Sequence, residues 1–96
     1  MTVKAYVLLK VSSGTERDVC QKIGEFDEVS EASIIYGEYD IIAKVSVDEL
    51  NSLEAFISEN IRSIKDAKGD AAVMLTSTMI VAREYKGKEK RNPTGT

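Results

Sequence analysis

The 96-residue sequence has no histidine, no tryptophan, one cysteine (Cys20) and one proline (Pro93). Without histidine it lacks both the commonest general base near neutral pH and the commonest transition-metal ligand. A single cysteine rules out an internal disulfide framework and fits a reducing compartment. No apolar run approaches the eighteen or so residues that a transmembrane helix needs. The N-terminal Met1-Thr2-Val3-Lys4-Ala5-Tyr6 shows no basic stretch followed by an apolar segment and cleavage site, so no signal peptide is expected. These absences point to a cytoplasmic protein. What is present, 43% hydrophobic and 30% charged residues, is the balance of one ordinary soluble domain.

The net charge of −3 is unevenly placed. Residues 83–96 carry five basic and two acidic side chains, leaving the preceding 82 residues at −6. An acidic body disfavours nucleic acid, whose binding depends on neutralising phosphates with cations, so no direct DNA contact is expected. Residues 84–96, punctuated by Gly87, Pro93 and Gly95, read as a flexible basic tail behind a domain spanning 1–83.

Hydrophobic spacing defines six elements. Val3, Ala5, Val7, Leu9 and Val11 alternate with Lys4, Tyr6, Leu8 and Lys10, which predicts a first strand over 3–11. Ser13 and Glu16 have the spacing of a capping box before a helix carrying Val19, Cys20, Ile23 and Phe26, with Gly24 as its stop. A second strand is expected over 29–36 and a third over 39–47, joined by a two-residue turn at Gly37-Glu38. Asp48 is placed to cap a second helix with an apolar stripe of Leu50, Leu53, Phe56, Ile57, Ile61 and Ile64, and Arg62 in its last turn. After a polar connection over 65–70, residues 71–82 favour a final strand. With right-handed crossovers this βαββαβ order gives an antiparallel sheet of order 4-1-3-2 with both helices on one face.

The helix-free face of such a sheet should be polar in a monomer. Here Tyr6, Leu8 and Ile42 point there, joined by either Ile34 with Tyr36 or by Ile35. A contiguous apolar patch on two central strands predicts a dimer with sheets packed face to face.

Reactive chemistry is sparse. Most carboxylates, such as Glu16, Asp18, Glu49, Glu54 and Glu59, fall on solvent sides of helices, and no pair has the spacing of an acid and base sharing a cleft. No metal-ligand spacing and no phosphate loop occurs, so neither cofactor nor metal is expected. Cys20 reads as a small core hydrophobe. Two polar stretches stand out: Tyr36-Gly37-Glu38-Tyr39-Asp40 at the hairpin and Thr76-Ser77-Thr78 in the last strand.

Together with Lys4-Ala5-Tyr6-Val7-Leu8 and Ile61-Arg62-Ser63-Ile64, these stretches resemble the effector-binding domain of Lrp/AsnC-type transcriptional regulators, also called the domain for regulation of amino-acid metabolism. The likeness runs from about Val3 to Val81. It implies a ferredoxin-like α+β sandwich, face-to-face dimers, rings of eight or ten chains, and an amino-acid effector bound between dimers. Carried over residue by residue, the ligand-binding positions are Tyr36, Gly37, Tyr39 and Asp40 from the hairpin and Thr76 and Thr78 from the last strand. In that picture the Gly37 turn amides meet the effector carboxylate, Asp40 meets its ammonium, the threonine hydroxyls donate to the carboxylate or to a polar side chain, and a tyrosine ring forms an apolar wall.

Two features depart from the family pattern. No helix-turn-helix precedes Met1, so the chain looks like a stand-alone version that acts through a partner such as a DNA-binding relative. The segment 65–75 is longer than the family's usual link, which bears on ring size and ligand access. The leading expectation is a non-enzymatic amino-acid sensor, and the alternative is an assembly or hetero-oligomerisation module without its own ligand. A third reading, a small oxygenase or isomerase on the same fold, ranks last because no histidine or tryptophan is available.

Overall fold

The computed structural model describes residues 2–88; the last part of the expected tail, residues 89–96, lies outside the described residues. Six regular elements follow one another: β1 (Val3–Val11), α1 (Glu16–Gly24), β2 (Val29–Ile34), β3 (Ile41–Val47), α2 (Leu50–Phe56) running on as a π-helical stretch Ile57–Ile61, and β4 (Val73–Ile80). The four strands form one antiparallel sheet of order β2-β3-β1-β4, the expected 4-1-3-2 read from the other edge.

Alternation in β1 and β3 sends Ala5, Val7, Leu9 and Val11 and Ile41, Ala43, Val45 and Val47 to one buried layer. Against it lie Val19 and Ile23 of α1, and Leu53, Phe56, Ile57, Ile61 and Ile64 from the second helix and its continuation. Phe26 and Phe56 meet edge to face with centroids 5.3 Å apart, tying the two helical segments together. No buried polar or charged residue interrupts this layer among the described residues.

The helix termini differ from expectation. Thr15, not Ser13, is the N-cap of α1, and its side chain caps nothing: Thr15 Oγ1 donates to the Ser12 carbonyl at 2.6 Å. Glu16 folds back only as far as the Gly14 N–H, 3.1 Å away, so the capping box is not formed. The charges of Glu16 and Asp18 still complement the positive end of the helix. In the second helix Glu49, not Asp48, is the cap, again without a side-chain bond. Leu50 is 49% exposed and outside the expected stripe, because the helix begins at its own position and turns it to solvent.

Leu53, Phe56, Ile57, Ile61 and Ile64 recur at the spacing of an ordinary helical stripe. The π-helical turn keeps Ile57 and Ile61 buried against the sheet and closes with the Arg62 N–H on the Ile57 carbonyl at 2.9 Å.

Three connections depart from the expected boundaries. β2 ends at Ile34, and the last bonded pair of the hairpin is the Ile35 N–H on the Asp40 carbonyl at 2.9 Å. The hairpin loop is therefore four residues, 36–39, rather than the two-residue turn at Gly37-Glu38, and β3 starts at Ile41 rather than 39. Gly37 has φ +139°, a conformation that suits glycine. The 65–70 connection is a closed small loop: Lys65 bridges Ala71, and one Asp66 carboxylate oxygen accepts the N–H groups of Lys68 and Asp70, both at 2.9 Å. β4 then begins at Val73 and ends at Ile80, shorter at both ends than 71–82.

Candidate functional site

Strand register decides which face each candidate residue occupies. Thr76 lies opposite Leu9 and Thr78 opposite Val7, so both threonines share the helix side of the sheet. β4 is an edge strand whose substantial packing is with β1 alone, so this side of it stays open: Thr76 is half-buried, while Thr78 and Ile80 are exposed. Arg62, at the end of the π-helical stretch, reaches over and donates from Nη2 to Thr76 Oγ1 at 3.3 Å. Arg62, Val73, Met74, Leu75 and Thr76 line a depression of about 400 Å³.

The hairpin is built around Asp40. Its N–H donates to the Leu9 carbonyl at 2.8 Å, and its carboxylate Oδ2 accepts the Val11 N–H at 2.9 Å. Leu9 pairs with Ile41, so regular pairing would bring the Val11 N–H to the backbone of Tyr39. The aspartate side chain takes that place and lets the loop peel away from β1. On the other side of β1 the β4 register shifts, with Lys10 opposite Leu75 and Val11 opposite Val73, leaving Met74 as the extra residue. Lys10 Nζ braces the loop by donating to the Glu38 carbonyl at 2.6 Å. Tyr36 is fully exposed at the tip, while Tyr39 is half-buried and lines a depression of about 320 Å³ with Lys10, Glu38 and Leu75.

Five of the six expected ligand positions thus lie at the hairpin end of the sheet, Thr78 lies opposite Val7 at its middle, and the six do not share one pocket. Asp40 and Thr76 flank Leu9 from opposite sides, two strand spacings or roughly 10 Å apart. The carboxylate and ammonium of an α-amino acid sit on a single carbon and cannot bridge that gap. Arg62, a helix-end cation within the Ile61-Arg62-Ser63-Ile64 stretch, is brought by the fold to Thr76. Its spacing gave no signal, because the contact depends on where the π turn ends.

The helix-free face carries Tyr6, Leu8 and Ile42, all half-buried, with Leu8 directly opposite Ile42. Ile35 joins them; Ile34 pairs with Ile41 and so belongs to the helix side, and Tyr36 is in the loop. β4 adds Met79 beside Tyr6 and Leu75 beside Lys10, both about half exposed. At the end of the sheet away from the hairpin, Lys44 Nζ lies 5.9 Å from the centre of the Tyr6 ring. Lys4 pairs there with Glu84 at 3.0 Å, beyond the end of β4. The hydrogen bond and charge of Lys4 hold the Glu84 carboxyl below its ordinary value of 4.5. A lowered carboxyl contributes stability above the unfolded value, and that contribution disappears as pH falls through the folded one. Both groups are solvated, so the effect is small. Thermal melts of Glu84→Gln should vary less steeply with pH below about 4.5 than those of the parent chain.

Cys20 is partly buried and its thiol is pushed up by that burial, the opposite of what a nucleophile needs. Among the described residues no group of three or more metal-ligating side chains occurs, and no helix is long and apolar enough to cross a membrane.

The architecture is that of a ferredoxin-like sandwich with its polar residues drawn to a hairpin and an open edge strand. The chain belongs to the Lrp/AsnC ligand binding domain family, whose sequence model matches residues 4–90. It is 31% identical over 75 residues to an HTH-type transcriptional regulator of Pyrococcus furiosus, covering 78% of this chain and 51% of that protein. The chain spans about half the length of the curated relatives it matches. A hypothetical protein of Pyrococcus horikoshii has a similar structure, with a TM-score of 0.74 and 41% identity over 86% of this chain and 93% of that one. A Neisseria meningitidis regulator solved in complex with L-Met shares the fold, with a TM-score of 0.71 and 15% identity over 88% of this chain and 53% of the regulator.

Proposed function

We propose that this domain is a non-enzymatic sensor that binds an amino-acid effector between dimers of an oligomeric ring. Its output passes to transcription through a DNA-binding partner of the same family. The observation that carries the reading is the separation of Asp40 from Thr76 by the width of β1. Groups that cannot close on one small zwitterion within a chain can do so when the hairpin of one copy meets the β4 edge of another. The apolar helix-free face supplies a surface for the first pairing step, since a patch of this kind marks association. Membership of a ligand-binding family, and the L-Met held by the structurally similar regulator, support an amino acid as the effector class.

Such a ligand acts by favouring one assembly state over another. Calorimetry against the proteinogenic L-amino acids, paired with light scattering, tests this. Saturable binding of at least one, with a change in assembled mass or its concentration dependence, is the expected result. Absence of binding by all of them at millimolar concentration would defeat it.

One observation favours the alternative of an assembly module without a ligand of its own. An oxygen of Asp40, the group assigned to the ammonium, already accepts the Val11 N–H. Unchanged assembly with and without amino acids, together with association with a regulator of the same family, is the outcome that reading expects.

A further inference from the structure

Arg62 follows the π-helical stretch with its backbone still helical, at φ −69° and ψ −17°. The closing bond from its N–H to the Ile57 carbonyl fixes the direction in which the side chain leaves. That side chain is exposed, spends one N–H on Thr76 Oγ1, and forms no salt bridge among the described residues. A guanidinium has five N–H donors in a planar fork, so most of its capacity for a carboxylate remains available. The Thr76 hydroxyl, accepting from Arg62, still has a proton to donate in the same direction.

The other side chains lining the depression are apolar. Val73, Met74 and Leu75 complete its lining, and no acidic side chain is among them to compete for the cation. Met74, the extra residue of the β4 register shift, lines the depression and is 68% exposed. A cationic fork beside a hydroxyl, walled by aliphatic side chains, suits a carboxylate attached to an apolar group. No anionic side chain in the depression is available to pair with an ammonium.

We infer that Arg62, steered by Thr76, anchors the carboxylate end of the effector, leaving the ammonium end to the hairpin of a neighbouring copy. This rests on the sensor reading and reassigns one contact within it: the carboxylate goes to the end of the second helix rather than to the Gly37 turn. Arg62 is then a determinant of specificity for acids over their amides.

The test uses the whole chain and, for each L-amino acid that binds, its primary amide. Calorimetry should show the acid bound more tightly than the amide. Arg62→Gln should weaken the acid about 10- to 100-fold, the effect of losing a charged hydrogen-bond pair, while leaving the amide's affinity unchanged. Arg62→Lys, which keeps the charge without the fork, should fall between. If Arg62→Gln binds the acid as the parent does, the inference is overturned and the sensor reading stands. If no amino acid binds the parent chain, the sensor reading falls, and titration of acetate into 15N-labelled protein decides the anion site by itself. Saturable shifts at Arg62 Nε and the Thr76 amide would support it; undisturbed resonances would overturn it.

Discussion

Replacing Leu8 by glutamate is expected to turn the proposed face-to-face dimer into a folded monomer. Leu8 lies on the helix-free face opposite Ile42 and outside the buried layer, so the substitution leaves the core packing of one chain intact. Across a two-fold interface the change counts twice. Burial of a leucine side chain contributes about 1.5–3 kcal/mol, so two copies account for roughly 3–6 kcal/mol, or about 10²- to 10⁴-fold in the dimer dissociation constant. The carboxylates introduced would also have to be desolvated against an apolar partner, which adds to the loss. Sedimentation or light scattering at micromolar concentration measures the outcome, and circular dichroism checks that the sheet persists. A parent chain that is already monomeric, or a Leu8→Glu chain that stays dimeric, would remove the sheet face from the assembly.

How far the sequence reveals this molecule depends on whether a feature is periodic or positional. The alternation of β1 and β3 is regular enough to give the limits of β1 and the inward residues of both strands. The order of the sheet follows from two crossovers of fixed hand. Helix caps are less legible, because Ser13, Thr15, Asp48 and Glu49 all stand within three residues of a helix start and local spacing does not rank them. The hairpin is misread for a related reason. Gly37-Glu38 has the composition of a two-residue turn, but Asp40 substitutes its side chain for main-chain pairing and ends the ladder early.

Of the candidate site, residue types were legible and their geometry was not. Thr76 and Thr78 lie on an open ledge because no helix covers β4, which depends on where α1 and α2 come to rest. Arg62 meets Thr76 from the end of a π-helical stretch that residue spacing does not announce. The Asp66 loop illustrates the same limit: a polar run that reads as a plain connection is held by one carboxylate accepting two backbone N–H groups. Its glycine, Gly69, turns the chain at φ +87°.

Asp40→Ala is expected to destabilise the domain as well as to affect binding, so the two effects must be separated. The substitution leaves the Val11 N–H without its acceptor at a part-buried position beyond the last β1–β3 pair. Hydrogen bonds to charged groups contribute about 1.5–3 kcal/mol, and entry of water at the loop returns part of it, so a loss of about 1–2 kcal/mol is expected. For a domain of this size that lowers the melting temperature by roughly 5–15 °C, readable by calorimetry or circular dichroism. Asp40→Asn keeps a carbonyl oxygen for Val11 and should recover most of the stability. It carries no charge for an ammonium, so effector affinity should still fall about 10- to 100-fold in the sensor reading. Stability near that of the parent with binding lost places Asp40 in both roles, one oxygen for the fold and one for the ligand. Parent-like binding in Asp40→Asn would confine the aspartate to ending the hairpin ladder, and the ammonium would then have to be met by some other group.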